Sequence, residues 1–144
     1  MAMVFDRIAI IGIGLIGASI ARAAREYGVA NTIHLYDANP TVRELLVDLA
    51  TNKAFDAEKA VAKAELVVLA VPVGAMAAAA EACKRGLKIG AIVTDVGSVK
   101  QAVVDALKTV LPTFVYFIPG HPLAGTEHSG PDAGFASLFQ NRWQ

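Results

Sequence analysis

"RIAIIGIGLIGASIARAAREYG", residues 7–28, carries the reading on which the fold depends. Residues 7–13, apolar after Arg7 and rich in isoleucine, have the pattern of a strand buried on both faces of a parallel sheet. From Leu15 the period changes. Ile16, Ile20, Ala23, Ala24 and Tyr27 then recur on one face at helical spacing, and Gly28 supplies a C-terminal stop. Between strand and helix stands Gly12-x-Gly14-x-x-Gly17. In a dinucleotide-binding turn Gly12 permits the tight bend, Gly14 lets a pyrophosphate reach the backbone, and Gly17 lets helix and strand pack closely. The phosphates would meet free N–H groups at the start of the helix, around Leu15 and Ile16, where the helix dipole favours anions. The glycine spacing alone is weak, but here a strand precedes it and a helix follows it.

The same context asks for an acidic residue about 20 positions further on, and Asp37 ends the next strand, "TIHLYD" (32–37). A carboxylate there accepts hydrogen bonds from ribose hydroxyls and repels a 2′-phosphate, which predicts NAD rather than NADP. Arg43, six residues on, does not adjoin Asp37 in sequence. The competing reading of Asp37 is as a cap for the helix that begins near Pro40.

The rest of the chain repeats the alternation. Residues 39–50 read as a helix, and 51–65 as a short edge strand followed by a helical turn. "ELVVLAV" (65–71) is a strand closed by Pro72, and an alanine-rich helix covers about 74–85. "AIVTDV" (91–96) is a strand. A helix over 98–111 places Val99, Ala102, Val103, Ala106, Leu107 and Val110 on one face, and "TFVYFI" (113–118) is the last strand. This order predicts an α/β fold with a doubly wound, mainly parallel Rossmann-type sheet, one domain over residues 1–144. The chain ends on "FASLFQNRWQ" without tapering, as a fragment of a longer polypeptide would.

Composition narrows the function. Thirteen basic and 13 acidic side chains cancel, with no Lys/Arg block, so no nucleic-acid partner is expected. Hydrophobic residues are 55% of the chain, yet no apolar run reaches the roughly 18 residues of a spanning helix. No membrane partner is expected either. The N-terminus lacks the basic region and cleavage site of a signal peptide, and the single Cys83 cannot form an internal disulfide, so a cytoplasmic setting is expected. Cys83 reads as a buried structural thiol, and no metal site is expected.

Chemistry is expected where strands end. Val71, Pro72 and Val73, in "VLAVPV" (68–73), either flank a cofactor ribose or only terminate a strand. "TDVGSVK" (94–100) puts Gly97 and Ser98 at another strand end, where Ser98 could be merely an N-cap. Lys100 opposes the helix dipole, so it has another task or points to solvent. "IPGHPLAGTEHSG" (118–130) follows the last strand and holds His121, suited by its ordinary pKa to take a hydroxyl proton as hydride leaves carbon. His128 could touch substrate or solvent, and His34 reads as a packed strand residue.

Together "GIGLIGAS", "AVPV", "DVGSVK" and "HPLAGTEHSGP" resemble the prephenate/arogenate (cyclohexadienyl) dehydrogenase family of tyrosine biosynthesis, in order along essentially the whole chain. The resemblance implies NAD-dependent oxidative decarboxylation of prephenate or arogenate, with hydride passing to NAD and the ring carboxylate leaving as carbon dioxide. It implies that His121 assists deprotonation of the substrate hydroxyl and that Ser98 orients it. It also implies that Gly125, Thr126 and Glu127 line the substrate mouth. Family members carry a second, helical domain that forms a homodimer and binds the substrate carboxylates; it is absent from these 144 residues, which are therefore expected to bind the dinucleotide without assured turnover. Two other readings are a different small-molecule NAD(P) dehydrogenase, of hydroxyacid or imine reductase type, and a noncatalytic NAD-binding module.

Overall fold

Residues 8–11 of the central strand are all buried but face alternate sides, and this separates the molecule into two cores. In this computed structural model, which describes residues 3–44, 52–53 and 56–120, β1 runs Phe5–Ile11. Ala9 and Ile11 face one hydrophobic cluster, and Ile8 and Ile10 face the other. A strand buried on both sides needs helices on both sides.

The elements follow in the order α1 (Leu15–Glu26), β2 (Ala30–Tyr36), α2 (Pro40–Glu44), β3 (Asn52–Lys53), α3 (Ala57–Val61), β4 (Leu66–Leu69), α4 (Met76–Cys83), β5 (Ile92–Asp95), α5 (Lys100–Lys108) and β6 (Tyr116–Ile118). Strand order is β3-β2-β1-β4-β5-β6, and each described pairing is parallel. Ile10 pairs with Leu35 on one side and Val68 on the other, which sets the register around the centre. The small residues Ala18, Ala21 and Ala24 of α1 pack over Ile8, Ile10, Ile33 and Leu35. Val61 of α3, Met76, Ala80 and Cys83 of α4, and Val103 and Leu107 of α5 cover the opposite face. The direction of winding reverses between β1 and β4, so the loops that leave those strands part company and open a crevice at the carboxyl edge.

Several predicted boundaries move. β1 starts at Phe5, because the Val4 and Phe5 N–H groups already bond to the Val29 carbonyl, and it stops at Ile11, because Gly12 turns to a positive φ of 92°. The apolar face predicted for α1 is displaced: its buried residues are Gly17, Ala18, Ser19, Ala21 and Ala24, whereas Ile16, Ile20, Ala23 and Tyr27 are only partly covered. Close approach to the sheet selects the smallest side chains, and the larger ones are left at the rim. α5 begins two residues later than predicted, so Val99 lies outside the helical face and is 54% exposed. Ala102 is exposed as well. The predicted edge strand and helical turn within 51–65 are present as β3 and α3, and His34 is buried in β2. No helix among the described residues is long and apolar enough to cross a membrane.

Candidate functional site

The glycine turn is built from backbone contacts that leave no room for side chains. A Cβ on Gly17 would stand 2.1 Å from the Gly12 carbonyl oxygen, and one on Gly12 would stand 2.7 Å from Val71 and 2.8 Å from the Ala70 carbonyl carbon. These two glycines therefore hold the β1–α1 turn against both its own helix and the end of β4. Gly14 differs. It is the N-cap residue of α1, and a Cβ placed on it would meet nothing within 4 Å. No side chain caps this helix, and no acidic residue occupies its first turn. An α-helix leaves its first N–H groups without partners inside the helix, so a helix start with this open space in front suits an anion.

Asp37 follows β2 and is bonded to the same turn. One carboxylate oxygen accepts the Ile13 N–H at 2.8 Å, and the other accepts the Asn39 N–H at 2.9 Å. The helix-cap alternative for Asp37 belongs instead to Asn39, whose side-chain oxygen accepts the Thr41 N–H at 3.0 Å. A carboxylate offers about four acceptor positions, so two protein bonds leave capacity for ligand hydroxyls. Arg43 corrects the expectation drawn from its distance along the sequence. It is six residues on, but one turn of α2 brings its guanidinium back to donate to the Asp37 carbonyl at 2.5 Å and to lie 5.4 Å over the Tyr36 ring.

Gly12, Gly14, Leu15, Ile16, Asp37, Val71, Pro72, Val73, Gly97 and Ser98 line one cavity of about 790 Å³ at the carboxyl edge. Gly17 lies behind it as a packing residue. Sequence reasoning missed Tyr36, Asn39, Val42, Ala78 and Ala79, which also line the cavity. Their only signal was proximity to a strand end or a helix face turned to that edge.

The third strand end is organised around a buried charge. Asp95 closes β5 with no solvent exposure. Its Oδ2 accepts the Gly97 N–H at 2.8 Å and the Lys100 ammonium, while Oδ1 accepts the Gly120 N–H at 3.3 Å. Lys100 also donates to the Gly120 carbonyl. Burying a carboxylate costs several kcal/mol unless such partners surround it. That is the task of Lys100, which therefore tolerates the start of α5. Ser98 does not cap α5, whose cap position is Val99; Ser98 is exposed at the cavity lip. Gly97 is required by crowding, since a Cβ there would stand 2.8 Å from Val103.

His121, Gly125, Thr126, Glu127 and His128 lie outside the described residues, which end at Gly120. His34 does not line the cavity, and its pKa is lowered by burial first and by the charge of Arg7 second, as for a neutral packed imidazole. Burial pushes the Cys83 thiol up to about 12, which makes it inert core. Among the described residues no group of metal ligands gathers.

Comparison with known proteins adds three findings. A family model for the nucleotide-binding domain of prephenate dehydrogenase matches residues 20–144. The cyclohexadienyl dehydrogenase of Zymomonas mobilis is 49% identical over 140 residues, covering 96% of this chain and 47% of the relative. Two solved structures each give a TM-score of 0.84 at 31% identity. One is prephenate dehydrogenase from Aquifex aeolicus in complex with hydroxyphenyl propionate and NAD+, where the match covers 99% of this chain and 49% of that one. The other is Synechocystis arogenate dehydrogenase, with 94% and 48% covered. The chain thus spans about half the length of the relatives it matches.

Proposed function

The chain belongs to the prephenate dehydrogenase family, matching its nucleotide-binding domain, and on that premise we propose that it holds NAD at the carboxyl edge and, in the full-length polypeptide, serves the oxidative decarboxylation of prephenate or arogenate. The observation that carries this reading is the Gly14 cradle. There a helix start with no side chain or acid before it opens on a cavity of about 790 Å³, and Asp37 is bonded to the same turn.

In this reading the N–H groups around Gly14, Leu15 and Ile16 receive the pyrophosphate, and the remaining lone pairs of Asp37 accept the adenosine ribose hydroxyls. Val71, Pro72, Val73 and Gly97 wall the rest of the cofactor. Bound NAD supplies the hydride acceptor. His121 takes the proton of the substrate ring hydroxyl, Ser98 orients it, and Gly125, Thr126 and Glu127 line the substrate mouth. NAD is preferred to NADP because Asp37 presents negative charge to the ribose, where a 2′-phosphate would be repelled. A cytoplasmic setting accords with the unpaired, buried Cys83.

The test is an assay of the full-length protein with prephenate and with arogenate, each with NAD and with NADP. Turnover of at least one substrate with NAD is expected, and turnover of neither overturns the reading. In the same assay His121→Asn should leave NAD affinity within about twofold and lower kcat by about 10²-fold or more. An unchanged kcat reassigns the base.

A further inference from the structure

We propose that Asp95 and Lys100 act as a positioning pair that grips the backbone of Gly120 and so aims His121; this rests on the reading of His121 as the base. Gly120 has no side chain to pack, so only its main chain can be held. Both of its polar groups are taken: the N–H by the Asp95 carboxylate at 3.3 Å, and the carbonyl by the Lys100 ammonium. A grip on the N–H alone leaves rotation about the following bonds. Holding the carbonyl as well fixes the plane of the next peptide, because that plane contains the nitrogen of residue 121.

Two features indicate a purpose beyond neutralising a buried acid. Lys100 opens α5, where the helix dipole disfavours a cation, and its side chain is one-third exposed, yet the ammonium turns inward to two partners. Asp95, fully buried, holds Gly97 through the oxygen that also meets Lys100, and holds Gly120 through the other. Gly97 lines the cavity. One carboxylate therefore ties the wall of the cofactor pocket to the residue that precedes the base. Hydride and proton must leave the same carbinol together, so the spacing of cofactor and base has to be held, and an error of about 1 Å can cost 10²-fold in rate.

The experiment compares Lys100→Met and Lys100→Arg with wild type in the full-length protein. Lys100→Met should lower kcat by about tenfold or more while NAD affinity stays within about twofold. Lys100→Arg, which keeps the cation, should recover most of that loss. A kcat for Lys100→Met within about twofold of wild type, or a loss matched by an equal loss of NAD affinity, overturns the proposal. If Lys100→Met does not fold, Asp95→Asn combined with Lys100→Met removes the unpaired buried charge and should show the same selective loss of kcat. If wild type turns over neither substrate, the dehydrogenase reading fails separately. Amide exchange at Gly120 then decides the grip, with protection expected in wild type and lost by about tenfold or more in Asp95→Ala combined with Lys100→Met, which removes the partners of both its N–H and its carbonyl. Equal exchange in the two proteins overturns it.

Discussion

At the scale of single residues, the proposed preference for NAD rests on Asp37, with Arg43 bonded to its carbonyl. The carboxylate accepts from the Ile13 and Asn39 N–H groups, and the Arg43 guanidinium donates to the backbone carbonyl of the same residue. Neutralising the carboxylate should let this cation attract a 2′-phosphate. Asp37→Asn is therefore expected to raise the ratio of NADP to NAD affinity by about tenfold or more, measured by titrating each cofactor. Asp37 was legible from its place at a strand end, but Arg43 was not, because one helical turn folds six residues of sequence back onto a single point. Cys83 gives a pH prediction. Its folded value of about 12 lies above the ordinary 9.0, so below pH 9 both states keep the proton and stability is unaffected. As pH rises from 9.0 towards 12 the unfolded thiol ionises first, and stability falls. A thiol reagent at pH 8 should accordingly modify Cys83 only at the rate of unfolding; rapid modification of native protein would contradict its burial.

At the scale of the element, α1 shows what periodicity can and cannot tell. The helix and its stop at Gly28 follow from the spacing, and Gly28 does take a positive φ of 62°. The buried face did not follow, since the larger apolar residues marked one stripe and the sheet accepted the smaller ones. The determining contact is backbone to backbone, between the helix at Gly17 and the Gly12 carbonyl. Two glycines of the turn should therefore respond oppositely to the same change. Gly17→Ala collides with main chain at 2.1 Å and should cost roughly 1–3 kcal/mol in denaturant unfolding. Gly14→Ala meets nothing within 4 Å, so stability should hold to within about 1 kcal/mol while NAD affinity falls about tenfold or more. Equal effects of the two on stability would remove the distinction between packing glycine and ligand glycine.

On the scale of the whole molecule, the parallel sheet with two cores is the unit of stability. Ile10 on the α1 side and Leu107 on the other are fully buried, so Ile10→Ala and Leu107→Ala should each cost ~2–5 kcal/mol by denaturant titration. Lying on opposite faces of the sheet, they should add nearly independently. Local pattern was enough to specify the strands, the helices, the parallel winding and the glycine turn, because apolar runs, helical spacing and glycine punctuation act through neighbours in the chain. It was also enough to mark ten of the residues that line the cavity, since strand ends of such a sheet share one edge. The tertiary structure alone decided which face of α1 is buried, that Arg43 returns to Asp37, and that Lys100 reaches Asp95 and Gly120. Those contacts join residues from different elements, and their energies depend on burial and approach distance, quantities that exist only once the sheet has formed.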